Sequence, residues 1–127
     1  MQEKHLYEYA AIRFVPRVER EEFINVGIIL FSKRNNYINI LYNINKEKLH
    51  LLSPEIDLET LQLHLEAFKK IADGTKDGGR IALLDTPDRF RWLTAVRSAS
   101  IQTSRPHPGF AEDLDGTLER LFRELVL

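Results

Sequence analysis

Three stretches of alternating, branched-rich sequence in the first 44 residues, separated by short polar connections, constrain this chain more than anything else in it. Residues 5–15 (HLYEYAAIRFV), 23–32 (FINVGIILFS) and 37–44 (YINILYNI) each read as a β-strand. Pro16 ends the first, because proline cannot donate to a ladder. The connections PRVERE and KRNN are short enough to demand antiparallel neighbours, so the expectation is an antiparallel meander. Period two then divides the residues between faces. Leu6, Ala10, Ile12 and Phe14, with Ile24, Val26, Ile28 and Leu30 and with Ile38, Ile40, Tyr42 and Ile44, make one apolar face on which the helices are expected. The other face collects Tyr7, Tyr9, Arg13, Asn25, Gly27, Asn39 and Asn43 beside Phe23, Ile29, Phe31 and Leu41, a mixed surface.

From Ser53 the period lengthens to about three and a half, with Leu58, Leu61, Leu65, Phe68, Ile71 and Ala72 on one stripe. Ser53 or Asp57 caps this helix, and Gly74 closes it. Thr86-Pro87 reads as a cap with a first-turn proline ahead of a second helix, and residues 112–126 as a third, burying Leu114, Leu118, Leu121, Phe122 and Leu125. Residues 100–104 read as a fourth strand that RPHPG terminates. The fold class expected is therefore α+β: an antiparallel three- to four-stranded meander with about three helices packed on one face, a single domain over residues 1–127.

At 127 residues the chain is long enough for a core without metal or disulfide staples. A formal net charge of -1 gives no global attraction to nucleic acid or acidic membrane, and the absence of cysteine excludes thiolate chemistry. No long apolar run marks a leader or a membrane span, so a cytoplasmic protein is expected.

Tyr7, Tyr9, Arg13, Pro16, Glu22, Asn25 and Gly27, followed by the apolar run 28–31, read as Tyr-x-Tyr, Arg-x-x-Pro and Glu-x-x-Asn-x-Gly. With Phe90, Trp92, Leu93, Arg97, Ser98, Gln102 and Ser104, and the final Leu118, Leu121, Phe122 and Val126, the pattern resembles a family of small bacterial proteins known as a domain of unknown function. Members are often encoded beside HipA-like kinases, so the resemblance implies such a kinase as partner or pathway neighbour. It implies no activity.

The residues themselves offer several chemistries. Arg13, Asn25 and the tyrosines share a face, where a guanidinium beside an amide and phenols suits a carboxylate or phosphate, and Gly27 leaves room for a close approach. Against this, Arg13 pairs with Glu22 or Glu8, Asn25 satisfies a loop backbone, and Gly27 marks a bulge. Glu19, Glu21 and Glu22 read as a loop neutralised by Arg17 and Arg20 in preference to a metal site. His5, His50, His64 and His107 lack metal-ligand spacing, and His107 stands out for its flanking prolines. Residues 80–107 carry five arginines against two aspartates with Phe90 and Trp92 interleaved, a nucleic-acid-like composition with no phosphate loop to focus it.

The function expected is a small cytoplasmic binding or regulatory module acting with a HipA-like kinase. Its rival is an anion-binding domain or enzyme using Tyr9, Arg13, Asn25 and Gly27 with Arg97, Gln102, Ser104, Arg105 and His107. Nucleic-acid binding through residues 80–107 ranks behind both, and no metal or cofactor is expected.

Overall fold

The computed structural model describes residues 3–95 and 99–127. Strands β1 (His5–Phe14), β2 (Ile24–Ser32) and β3 (Tyr37–Tyr42) form the antiparallel meander that the alternating stretches require. On its other side β1 pairs with two short strands, β4 (Ile101–Thr103) and β5 (His107–Ala111). Four helices complete the fold: α1 (Lys46–Leu52), α2 (Leu58–Asp73), α3 (Thr86–Leu93) and α4 (Leu114–Leu125). The architecture is α+β, as expected.

The fourth row of the sheet is longer than the sequence suggests. β4 lies along Ile12, Arg13 and Phe14, and after the prolines the chain resumes beside the first half of β1, with His107 opposite Tyr9 and Gly109 opposite Tyr7. RPHPG therefore interrupts the row instead of ending it. Ser104 closes the gap by donating its amide to the Ala11 carbonyl at 2.8 Å and accepting the Ala11 amide on Oγ at 2.9 Å. Pro106 and Pro108 are tolerated because no strand follows on their outer side.

A bulge redistributes the faces. Ile12 stands opposite Gly27 and Arg13 opposite Asn25, so Val26 is an extra residue on β2. Ile24 and Val26 keep the side expected of them, but beyond the bulge the alternation inverts. Ile29 and Phe31 join Ala10, Ile12, Phe14 and Ile40 under α1, α2 and α3, while Ile28 and Leu30 pass to the other face. There they meet Tyr7 and Ala11 and are covered by Leu114, Leu118 and Leu121 of α4 with Val126 just beyond it. The face read as mixed thus carries a second core, and the terminal helix packs opposite the other three. Leu6, assigned to the first core, is 54% exposed. Gly27 stands on the Ile12 side, where a Cβ would come within 2.8 Å of the Leu41 carbonyl oxygen and 3.1 Å of the Tyr42 Cβ.

Helix boundaries follow the caps. Asn45 starts α1, an element the periodicity did not reveal, and Ser53 ends it. Asp57 caps α2, and Gly74 closes it in the left-handed conformation that glycine adopts freely. Asp85, one residue ahead of the expected Thr86, caps α3, placing Pro87 in its first turn. At the β3 edge the Asn39 side chain accepts from the Ile40 amide at 2.9 Å and from Lys69 Nζ at 2.6 Å.

The bulge predicts that Gly27→Ala is destabilising by about 1–3 kcal/mol, because the new methyl meets backbone and a fixed Cβ; a urea midpoint equal to wild type would refute this. A second test concerns the docking of α4. The Tyr37 hydroxyl donates to Asp115 Oδ1 at 2.6 Å, and burial together with that carboxylate raises its pKa above the ordinary tyrosine range. A raised folded-state value means the contribution is complete below the unfolded pKa of about 10 and is lost as pH climbs through the folded one. Stability above pH of about 10 should fall less steeply in Tyr37→Phe than in wild type. Equal slopes in urea titrations would exclude the coupling.

Candidate functional site

α4 covers the part of the second face formed by β2 and β3, and its C-terminal end is tied to β2 and to α1 by side chains. Asn25 Nδ2 donates to the Leu125 carbonyl at 3.1 Å, and Lys48 Nζ to that of Val126 at 3.2 Å. Asn25, expected to face a ligand, therefore anchors the helix end, although its Oδ1 is buried without a partner. Gly27 leaves the candidate set as well, because it stands on the opposite side of the sheet. Arg97 lies outside the described residues.

The remaining candidates fall on the strip of the second face along β1, β4 and β5, at two places. Tyr9 is half-buried, with its ring 5.3 Å from that of the exposed His107 and 6.4 Å from that of the buried Tyr7. Four residues further along β1, about 13 Å for an extended strand, Arg13 stands opposite Gln102. Between them Ala11 and Ser104 bond to each other, which makes Ser104 structural. Arg105 is exposed beside this bridge. The single anion site expected of Tyr9, Arg13, Ser104 and His107 is thus two separate places.

Arg13 lines the better-formed of them. A concavity of about 350 Å³ is bounded by Arg13 and Val15 of β1 and its continuation, Gln102 of β4, and Val18, Glu21 and Phe23 from the loop between β1 and β2. The guanidinium carbon lies 4.0 Å from the centre of the Phe23 ring, a cation–π contact. Among the described residues no carboxylate pairs with Arg13, neither Glu22 nor Glu8, and its buried Nε has no hydrogen-bond partner. Gln102 donates its side-chain amide to the Ala99 carbonyl at 2.9 Å. Phe23 and Val18 are 44% and 41% exposed, so the apolar walls of the concavity face solvent.

The acidic loop behaves largely as its composition suggests. Arg17 pairs with Glu19 at 2.9 Å and Arg20 with Glu22, all four being exposed. A backbone amide and Arg17 hold the Glu19 carboxyl below its usual range. Glu21 is the carboxylate left over. It ends the 3-10 turn Val18–Arg20 with φ at 55°, a left-handed conformation unusual for a residue with a side chain. Among the described residues it has no ion pair. The signal was present in the sequence: the pairs Arg17/Glu19 and Arg20/Glu22 share one spacing and leave the middle glutamate without an arginine. Phe23 was already on the correct face, and what the sequence did not show was its ring lying under the Arg13 guanidinium.

Two arginines of the basic segment are taken up within the chain. Arg89 Nη1 donates to the carbonyls of Ile71 and Ala72 at 3.2 and 2.9 Å, satisfying the C-terminal end of α2, and Arg91 pairs with Asp88 on its own helix. Among the described residues no group of three or more His, Cys, Asp or Glu side chains has the arrangement to hold a metal ion, and no helix is long and apolar enough to cross a membrane.

No curated protein and no solved structure matches the chain. A family model described as a protein of unknown function, DUF3037, matches residues 9–126, a span that takes in the whole Arg13 concavity and both cores except Tyr7. The chain belongs to the DUF3037 family, a domain of unknown function.

Proposed function

We propose that the chain is a binding module whose ligand presents an anionic group to Arg13. One observation carries this reading: the half-buried guanidinium of Arg13 makes no hydrogen bond or ion pair among the described residues, while lining an open concavity. Arginine held on an aromatic face loses water without gaining an anion, and a partly desolvated guanidinium with vacant donors favours a bidentate carboxylate or phosphate. Arg17, Arg20, Arg89 and Arg91 have partners, and Arg34, Arg80, Arg105 and Arg123, whose side chains show none among the described residues, are exposed and line no part of this concavity. Phe23 keeps the guanidinium plane in place, and Gln102 bounds the opposite wall. The bacterial origin and the HipA-like kinase partner are proposed on the family resemblance, and a cytoplasmic setting on a sequence that shows no long apolar run.

Small carboxylates and inorganic phosphate, tested one at a time, should include at least one that raises the melting temperature. The stabilisation expected is about 2.7 kcal/mol at a hundredfold excess over Kd. Arg13→Gln should abolish that shift, Phe23→Ala should weaken it, and Arg91→Gln should leave it unchanged. No shift from any carboxylate or from phosphate would overturn the proposal. The partner is tested separately by co-expression with a HipA-like kinase encoded beside the gene. A complex that survives size exclusion is expected, and free migration of the two proteins would remove the kinase from the proposal.

A further inference from the structure

The same concavity carries a second charge, and resting on the anion reading above, we infer that its ligand is a free α-amino acid with an apolar side chain. Arg13 and Glu21 both line the concavity, and no ion pair joins them, so guanidinium nitrogens and carboxylate oxygens are more than 4.0 Å apart. Opposite charges that border one cavity without neutralising each other match a zwitterion. The carboxylate of an α-amino acid goes to the Arg13 guanidinium and its ammonium to the Glu21 carboxylate. Val15, Val18 and Phe23 supply the apolar wall for the side chain.

Three further features support this class over a phosphate or nucleotide. The volume of about 350 Å³ is at the small end of ligand pockets. A dianion would meet one arginine and a glutamate on the same rim, an unfavourable balance. The left-handed backbone at Glu21 is a local cost at the position whose carboxylate the zwitterion needs, and such costs concentrate where a side chain has to be aimed. Glu19 and Glu22, on ordinary backbone, are instead held by Arg17 and Arg20.

Calorimetric titration of the full chain with L-leucine and L-phenylalanine tests the inference, with N-acetyl-L-leucine, L-leucinamide and inorganic phosphate as the comparison probes. Saturable binding of one of the two amino acids is expected. Removing either charge of the ligand should weaken binding by about tenfold, the scale of one charge-assisted contact. Glu21→Gln should erase the preference for L-leucine over N-acetyl-L-leucine while leaving the affinity for the acetylated compound unchanged. Glu21→Asn, which suits a left-handed backbone, should do the same and guards against misfolding of the first variant. If N-acetyl-L-leucine or phosphate binds wild type as tightly as L-leucine, in a manner that Arg13→Gln abolishes, the zwitterion is excluded and the anion site stands. If none of the five compounds binds, the amino-acid inference falls, while the anion reading stands or falls with the carboxylate series in the melting assay.

Discussion

The extra residue at Val26 is the constraint on which the rest of the molecule depends. Without it, Ile28 and Leu30 would lie beside Ile24 and Val26, and Ile29 and Phe31 would turn to the other side. With it, Ile29 and Phe31 join Val26 in one core while Ile28 and Leu30 enter the other, so the bulge decides which residues each cover meets. Three helices from the middle of the chain supply one cover, and α4 supplies the other. Gly27 makes the inversion feasible, since a side chain there would press on the Leu41 carbonyl. The bulge also brings Asn25 into line with Arg13, where it receives the end of α4. The position of the helix and the exposure of the neighbouring arginine therefore have one origin.

Much of this was legible from residues alone, and the failures have definite causes. Alternation located all three meander strands, and the periodic leucines of α2 and α4 located those helices. Period-two reasoning assigns faces only while the ladder is regular, so it misplaced Ile28, Ile29, Leu30 and Phe31 together, at one step. The row beyond β1 was underestimated because Pro106 and Pro108 are stop signals in a central strand but are tolerated at an edge. At the site, Arg13 and Gln102 were recognised as one group, whereas Tyr9 and His107 share their face but stand a strand segment away. Faces follow from sequence; distances along a face need the register, and the register here passes through the break that Ser104 bridges.

Several of the surface charges are taken up by local partners. Paired arginines neutralise the loop between β1 and β2, Arg89 completes the end of α2, and Lys69 bonds to Asn39 and Asp73. Exposed pairs of this kind contribute little to stability, so their main effect is on where free charge remains. Against that background Arg13 and Glu21 are distinguished by position more than by type. Both come from the hairpin whose turn holds the concavity together, and the aromatic ring between strand and turn carries the guanidinium.

Both margins of the sheet are interrupted by local chemistry. Along β3 the Ile40 amide is already bonded to the Asn39 side chain, with the Lys69 ammonium held alongside. Along the opposite margin, two prolines and a one-residue bridge break the row of donors that an incoming backbone would read. A peptide strand added to either margin would meet these interruptions first. The ligand proposed for Arg13 is instead read by side chains around a small concavity, through shape and charge and not through a length of main chain.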